Sequence, residues 1–505
     1  MNNKNNNFFT DSVILKTITF EGWKITLTEI EISIIKGLPS ILIVGLPNKE
    51  VNEAKERIRC VLNTLGIGLP LGKIIINLSP GDLVKEGTHY DLGILCGLLI
   101  YLKILKIENI QEYIFFGELQ LNGNILANYG SLPVGIFTYK NNFKLISSGF
   151  IQNHLSYLEE YKHNYFLFKN IMHIINYFNK NQLDSLVKIT KPNIEVKNKE
   201  RNTYFLLSDF IKKLLILTLS GGYNLLLVGP PGGGKTTLAK IMPLLLPQLT
   251  KEDSIEVSSI YSMSGLLDNN LINTPPFRNP HSSSSIYALL GGGSKPVPGE
   301  VSLAHKGLIF LDEINTFHSN ILDGLRECLT EDIIHVSRVN YTITYPAEIQ
   351  LIAAMNPCKC GYLGSNKPCV CSNKVLYQYE NKLSGPFLNR FQIKYFLNEI
   401  NYDSPVDESI WLDNAKNIIE NIFNYVSKNF HGYKKISKIP FYLLEEKCKF
   451  SQKGKEFLME YCKSKELSLR SYHNLIRLSF NIALLNNETV ITENHLSEGI
   501  FFLNE

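Results

Sequence analysis

Apolar positions along the first third of the chain fall in short, β-branched runs: VILKTITF, ILIVGL, KIIINL and YIFFGEL. Between them lie segments with helical spacing, such as KEVNEAKERIRCVLNTLG. This alternation predicts an α/β or α+β domain over residues 10–175. Residues 176–203 then turn polar and lysine-rich (NKNQLDSLVKITKPNIEVKNKERN, with Pro192) and read as a linker. Over residues 204–400 the apolar runs NLLLVG, GLIFLDE and IQLIAAMN are each followed by Gly, Pro or Asn chemistry, the texture of strands feeding loops. Residues 401–505 are helical in pattern, ending in LRSYHNLIRLSFNIALLNN and a short helix after Thr492. The longest apolar run, Gly93–Leu102, stops at Lys103, well short of the roughly 20 residues that cross a bilayer, so no membrane partner is expected.

The run NLLLVG leads into GPPGGGKT, which fits G-x-x-x-x-G-K-[ST] with a strand before it and a helix-compatible TTLAKIM after it. Gly229, Pro230, Pro231, Gly232, Gly233 and Gly234 would turn backbone N–H groups toward phosphate oxygens, and Thr237 continues the helix start. Lys235 would bridge the β- and γ-phosphates of ATP, and Thr236 would ligate Mg2+. LIFLDE supplies the second half: Asp312 to hold the Mg2+ and Glu313 to polarise water as general base. Asn356 ends a third strand, where an amide can orient that water or simply cap a strand. Arg390, in SGPFLNRF, offers a fork suited to a phosphoryl transition state; a surface ion pair is the plainer alternative. Arg470 begins an amphipathic helix, with Arg477 seven residues on along the same face.

Charge and cysteine content add less. The balance of 51 basic and 47 acidic residues, +4, does not by itself call for nucleic acid. An odd count of nine cysteines and a polar N-terminus, MNNKNNNFFT, favour a reducing cytoplasm over a disulfide framework. Four of the nine sit together in MNPCKCGYLGSNKPCVCSN: Cys358, Cys360, Cys369 and Cys371. Four thiolates are a candidate tetrahedral Zn2+ set, although one intervening residue is tighter spacing than the usual two to four. Ordinary small residues in a tight loop are the other reading, and a redox pair is disfavoured because one intervening residue strains a disulfide.

Taken in order, these pieces resemble the magnesium-chelatase-like AAA+ ATPases of the ComM/YifB family. The matching stretches are NLLLVGPPGGGKT, PPFRNPHSSSS, GGGSKPVPGEVSLAHKGLIFLDE, HVSRVNYTITYPAEIQLIAAMNPCKCGY and LSGPFLNRF, with GLPSILIVGLPNKEVNEAKERIR and INLSPGDLVKEGTHYDLGIL upstream. The resemblance implies a P-loop AAA+ α/β core with a C-terminal helical lid, preceded by an α+β domain of the Lon/S5 type. It implies a homo-oligomeric, hexameric ring with ATP between subunits, in which Asn356 is sensor 1, Arg390 the arginine finger and Arg470 sensor 2. Val336–Tyr345 would form a hairpin facing the pore. The implied activity is ATP-driven DNA branch migration or translocation in DNA uptake and recombination, on single-stranded or branched DNA and alongside recombination proteins. A protein-remodelling ATPase like the motor subunit of magnesium chelatase is the alternative.

No peptidase is expected of the N-terminal domain. Where the Lon-type serine and lysine would fall the chain has VKEGTHYDL, with His89, and YGSLPVG, with Pro133. Other departures are Leu207-Ser208 for the usual Gly-Gln, Ser282 for a histidine, and Asn389–Gln392 for the usual Asp-Arg-Ile-Asp. Lys295, Lys306, His335 and Arg338 are candidate DNA contacts, set against scattered solvated charge.

Overall fold

The structure, a computed structural model, describes residues 12–126, 129–156, 158, 164–180, 182–189, 204–205, 207–268, 270–293, 297–338, 341–365, 367–397, 406–465 and 467–503. The chain forms two compact units, one built on residues up to 196 together with Ser258–Leu271, the other on the remainder.

The first unit is organised by a mixed seven-stranded sheet. Its strands are β1 (Val13–Glu21), β2 (Lys24–Ile35), β3 (Ser40–Val44), β4 (Lys73–Ser79), β5 (Tyr113–Phe116), β6 (Lys144–Ser148) and β7 (Tyr165–Phe168), in the order β3-β4-β2-β1-β5-β6-β7. Pairs β1/β2 and β2/β4 are antiparallel and the others parallel. Gly22, at φ +61°, supplies the left-handed position of the two-residue turn that sets the β1/β2 register. The longest apolar run of the sequence becomes helix Tyr90–Tyr101, buried from Tyr90 through Leu99 against the sheet. Gly93 and Gly97 permit that approach, since a Cβ at Gly97 would sit 2.3 Å from Leu15 Cδ1. Asp91, also buried, is held by the Arg57 guanidinium at 2.6 Å. The break expected at 175 falls inside helix Ile171–Lys180, and Val187 N–H still donates to Leu167 O. The polar stretch that reads as linker begins only in the last turn of that helix, at Asn179 and Lys180.

The second unit holds a five-stranded, all-parallel sheet: β8 (Leu225–Val228), β9 (Phe277–Arg278), β10 (Leu308–Leu311), β11 (Gln350–Met355) and β12 (Ile393–Phe396). Their order is β9-β10-β11-β8-β12. This parallel sheet, with a helical C-terminus, is consistent with an AAA+ core. Both faces are covered, so the strands are continuous apolar runs. Leu225 and Leu227 face one core with helices Asp209–Gly221, Lys235–Leu245 and Leu469–Leu485. Leu226 and Val228 face the other with helix Ser319–Glu331. Asn224 extends the ladder by one step on both sides of β8. Its Oδ1 accepts from Leu351 N–H at 2.9 Å, its backbone carbonyl accepts from Ile393 N–H, and its Nδ2 donates to Arg390 O at 2.9 Å. Helix Leu469–Leu485 is tied to the helix before β8 by a buried polar group: Asn481 Nδ2 donates to Leu217 O at 3.0 Å and its amide meets the Ser220 hydroxyl. Tyr223 O–H donates to Arg477 O at 2.8 Å, and Arg477 itself reaches Ile439 O. The antiparallel hairpin Ile333–Arg338/Tyr341–Pro346 occupies the stretch where the resemblance implied one. Among the described residues, no helix is long and apolar enough to cross a membrane.

Candidate nucleotide-binding site

Strands β10, β11 and β8 are neighbours and parallel, so the segments leaving their carboxyl ends converge in one crevice. β8 delivers the glycine-rich loop, β10 delivers Asp312 and Glu313, and β11 delivers Asn356. Register aligns Val228 with Met355, which sets Gly229 beside Asn356. Gly232 and Gly234 both adopt φ +80°, the conformation that lets the loop curl before helix Lys235–Leu245. Gly229 has a different reason: a Cβ there would meet Leu397 O at 2.5 Å.

Lys235 is 9% exposed and donates to Gly229 O at 2.7 Å, Pro230 O at 2.9 Å and Asn356 Oδ1 at 3.2 Å. Burial pulls its ammonium below the usual lysine range, opposed by the negative field of Asp312 and Glu313. Thr236 Oγ1 donates to Asp312 Oδ2 at 2.8 Å, and Asp312 Oδ1 accepts from Glu313 N–H at 3.0 Å. Glu313 takes φ +49°, left-handed and strained for a side chain of its size, stabilised by Thr316 N–H and O–H on its carbonyl at 2.7 Å. Its carboxylate is exposed beside the buried ammonium. A hydroxyl and a carboxylate side by side fit the oxygen preference of Mg2+. The converging amide, ammonium and loop N–H groups fit a polyphosphate. These positions therefore suit the roles read for Gly229 through Thr236, with Thr237 exposed on the first helical turn.

Arg390 and Arg470 form a second group, linked to the loop residues by no hydrogen bond among the described residues. Arg390 lies in the turn just after the short helix Gly385–Leu388, and its Nε is buried without a hydrogen-bond partner. Its guanidinium is pulled below the usual range by burial and by Arg326, and Arg470 by burial and by Arg390. Arg390 thus feels one neighbouring cation and acts on another, and no described carboxylate forms an ion pair with any of the three. Asn224, anchored by Gln392 Oε1 on its N–H at 2.8 Å, fixes the Arg390 carbonyl. Gln392 belongs to the departure Asn389–Gln392, so the unusual residue has a structural task of its own.

Sequence reasoning did not single out Arg326, Asn224 or Tyr379. Tyr379 O–H donates to Asn356 O at 3.1 Å, and burial pushes its phenol up to about 12. Each acts through a contact made by distant parts of the chain; Arg326 and Tyr379 lie in no motif, and Asn224 opens NLLLVGPPGGGKT without any mark of the partners it meets. The four cysteines converge: Cys358 Sγ lies 3.3 Å from Cys360 Sγ and 3.7 Å from Cys369 Sγ, and all four sulfurs lie within 4.8 Å of one another.

Of the candidate DNA contacts, Lys306 is corrected. It is a partly buried lysine ion-paired to Glu348 and 3.9 Å from Asp253, so its charge is used within the fold. His335 is exposed on the hairpin, 3.2 Å from Glu331. Arg338 ends the first hairpin strand, and Lys295 lies outside the described residues. In the first unit His89 is a core histidine: Nε2 pairs with Ile18 O at 2.9 Å, the ring stacks on Phe116, and burial pushes its pKa down to about 4. Pro133 is buried in the first turn of helix Ser131–Lys140.

Comparison with known proteins agrees along the whole chain. The family described as "Magnesium chelatase, subunit ChlI" matches residues 208–404, "Subunit ChlI of Mg-chelatase" matches 30–148, and "Magnesium chelatase, subunit ChlI C-terminal" matches 421–502. The chain is 33% identical to competence protein ComM of Haemophilus influenzae over 95% of both chains. It is 33% identical to YifB of Escherichia coli over 94% of this chain and 93% of that one. The 38 kDa magnesium-chelatase subunit of Rhodobacter capsulatus is more distant, 28% identical over 30% of this chain and 47% of its own. A parallel sheet presenting a phosphate loop, an acid pair and an asparagine, inside full-length likeness of this kind, makes the chain a member of the magnesium-chelatase ChlI-like AAA+ ATPases of the ComM/YifB family.

Proposed function

We propose that this protein is an ATP-hydrolysing ring motor that moves or remodels branched DNA during DNA uptake and recombination. The observation that carries the ATPase half is the joined set of Lys235, Thr236, Asp312 and Asn356 at adjacent strand ends. Lys235 and the loop N–H groups would bind the β- and γ-phosphates, and Thr236 with Asp312 would hold Mg2+, which when bound neutralises phosphate charge. Glu313 would accept the proton of the attacking water, with Asn356 orienting that water. Arg390 and Arg470, cations with no described carboxylate partner in their own chain, would meet the nucleotide of a neighbouring copy in a hexamer. The DNA half is supported by the likeness to a competence protein over nearly the whole chain. The first unit, of Lon/S5 type, would serve as a platform for DNA or recombination proteins, without peptidase activity.

The test is ATP hydrolysis with and without forked or four-way DNA. Stimulation by DNA, abolished in Lys235→Ala and Glu313→Gln, is expected. No response to any DNA overturns the DNA role. The match to ChlI over three separate stretches supports a second reading, a protein-remodelling ATPase, which recovery of a chelatase-like partner and indifference to DNA would favour.

A further inference from the structure

The loop that follows Asn356 is more constrained than a surface connection needs to be. Cys358 is fully buried, and Cys360, Cys369 and Cys371 are half-buried around it. Their sulfur separations of 3.3, 3.5 and 3.7 Å compare with the edge of a tetrahedral tetrathiolate, about 3.8 Å for zinc–sulfur bonds of about 2.3 Å. Ligands of a multi-iron cluster would not all stand so close, because at least some of them bind different irons, whereas all four sulfurs here lie within 4.8 Å of one another. The one-residue spacing is no obstacle. Cys369 and Cys371 lie in a non-helical stretch, where residues two apart share a side as they do in a strand. Gly361, at φ +88°, and Gly364, at φ +76°, turn the chain back between the two pairs.

Backbone donors already face the sulfurs. Leu363 N–H donates to Cys358 Sγ at 3.3 Å, and backbone groups of Tyr362 and Val370 reach Cys360. Such donors delocalise thiolate charge and orient the ligands around a metal. The loop also rests on the phosphate loop: a Cβ at Gly361 would lie 2.8 Å from Cγ and Cδ of Pro231 and 4.0 Å from Asn356 Cγ.

The geometry points to one structural zinc ion held by Cys358, Cys360, Cys369 and Cys371, which pins Gly361 against Pro231 and so fixes Asn356 beside Lys235. Binding replaces the thiol protons, which pass to solvent. The metal site stands on the sulfurs alone, whereas the pinning role rests on the nucleotide reading.

Full-length protein purified without added metal is analysed by elemental mass spectrometry. About one zinc per chain is expected, lost in Cys369→Ser and kept in Cys462→Ser. Cobalt exchanged into the wild-type protein should give the ligand-field spectrum of a tetrahedral tetrathiolate, a result independent of whether the serine variant folds. Protein without zinc that takes up none stoichiometrically, or that carries iron instead, overturns the site. For the pinning role, zinc is stripped with a chelator, the chelator is removed, and Mg2+ and ATP are added. The ATPase kcat should fall about tenfold with nucleotide affinity unchanged. An unchanged kcat overturns the pinning role. Zinc-loaded protein that hydrolyses no ATP indicts the nucleotide reading and leaves the metal site standing.

Discussion

Replacing Asn224 by alanine tests whether the amide that extends β8 is needed to hold both the sheet and Arg390. The change leaves Leu351 N–H, in a fully buried stretch of β11, without its acceptor at 2.9 Å, and frees the part-buried Arg390 carbonyl. An orphaned buried donor costs about 1–3 kcal/mol and the second bond about 1, so the loss should be about 2–4 kcal/mol. Two tryptophans make the measurement specific, since Trp23 lies in the first unit and Trp411 in the second. In a Trp23→Phe background, urea unfolding followed by Trp411 fluorescence should show an unchanged slope and a midpoint lower by about 1 M. Nucleotide should still bind, because the loop residues are untouched, while hydrolysis should fall with Arg390 adrift if it serves the proposed ring. A midpoint shift under about 0.3 M would mean water satisfies Leu351, refuting the reasoning.

Lys235→Ala should abolish binding of a fluorescent nucleotide, and retained micromolar binding would refute its role. Glu313→Gln should bind ATP normally but hydrolyse it about 10²- to 10⁴-fold more slowly, read from single turnovers. Arg390→Ala should lose about 10³-fold in ATPase yet recover part of it when mixed with Lys235→Ala chains, because each supplies what the other lacks; absence of recovery argues against a shared site. Burial holds His89 at about 4, below its unfolded value, so its contribution to stability is full above about 6.5 and falls away as pH drops toward 4, by up to about 3 kcal/mol. Asp91, raised to about 6 by burial against the pull of Arg57, acts in the opposite sense, so the informative quantity is the difference between wild type and His89→Phe at pH 7 and 5. That difference should narrow at the lower pH, and a constant gap would refute the assignment.

The phosphate loop was legible because its chemistry dictates residue type: glycines where φ must be positive, then lysine and threonine at the helix start. The strand-end acids and Asn356 were legible as strand ends, but their convergence on Lys235 depends on β10, β11 and β8 being neighbours, which no local pattern encodes. Lys306 misled because a lysine in a polar stretch looks the same whether it faces solvent or Glu348. Arg326 and Tyr379 were invisible for the converse reason: a helical arginine carries no mark of the distant Arg390 it faces, nor a helical tyrosine of the Asn356 carbonyl it meets. The end of the first unit was obscured because the last residues of helix Ile171–Lys180, Asn179 and Lys180, run without a break into the polar stretch that follows.

The buried amide of Asn481 bears on how force could travel. Swinging helix Leu469–Leu485 away from helix Asp209–Gly221 would strip Asn481 of Leu217 and Ser220, and Tyr223 of Arg477, in a dry interior. At about 1–3 kcal/mol per stranded polar group, that motion is several times the thermal energy. Arg470 stands at the start of the same helix. Helix and sheet are therefore joined as one stiff lever rather than a clamshell, and in the ring proposed above a stroke begun at the phosphate loop would be spent at the seams between copies.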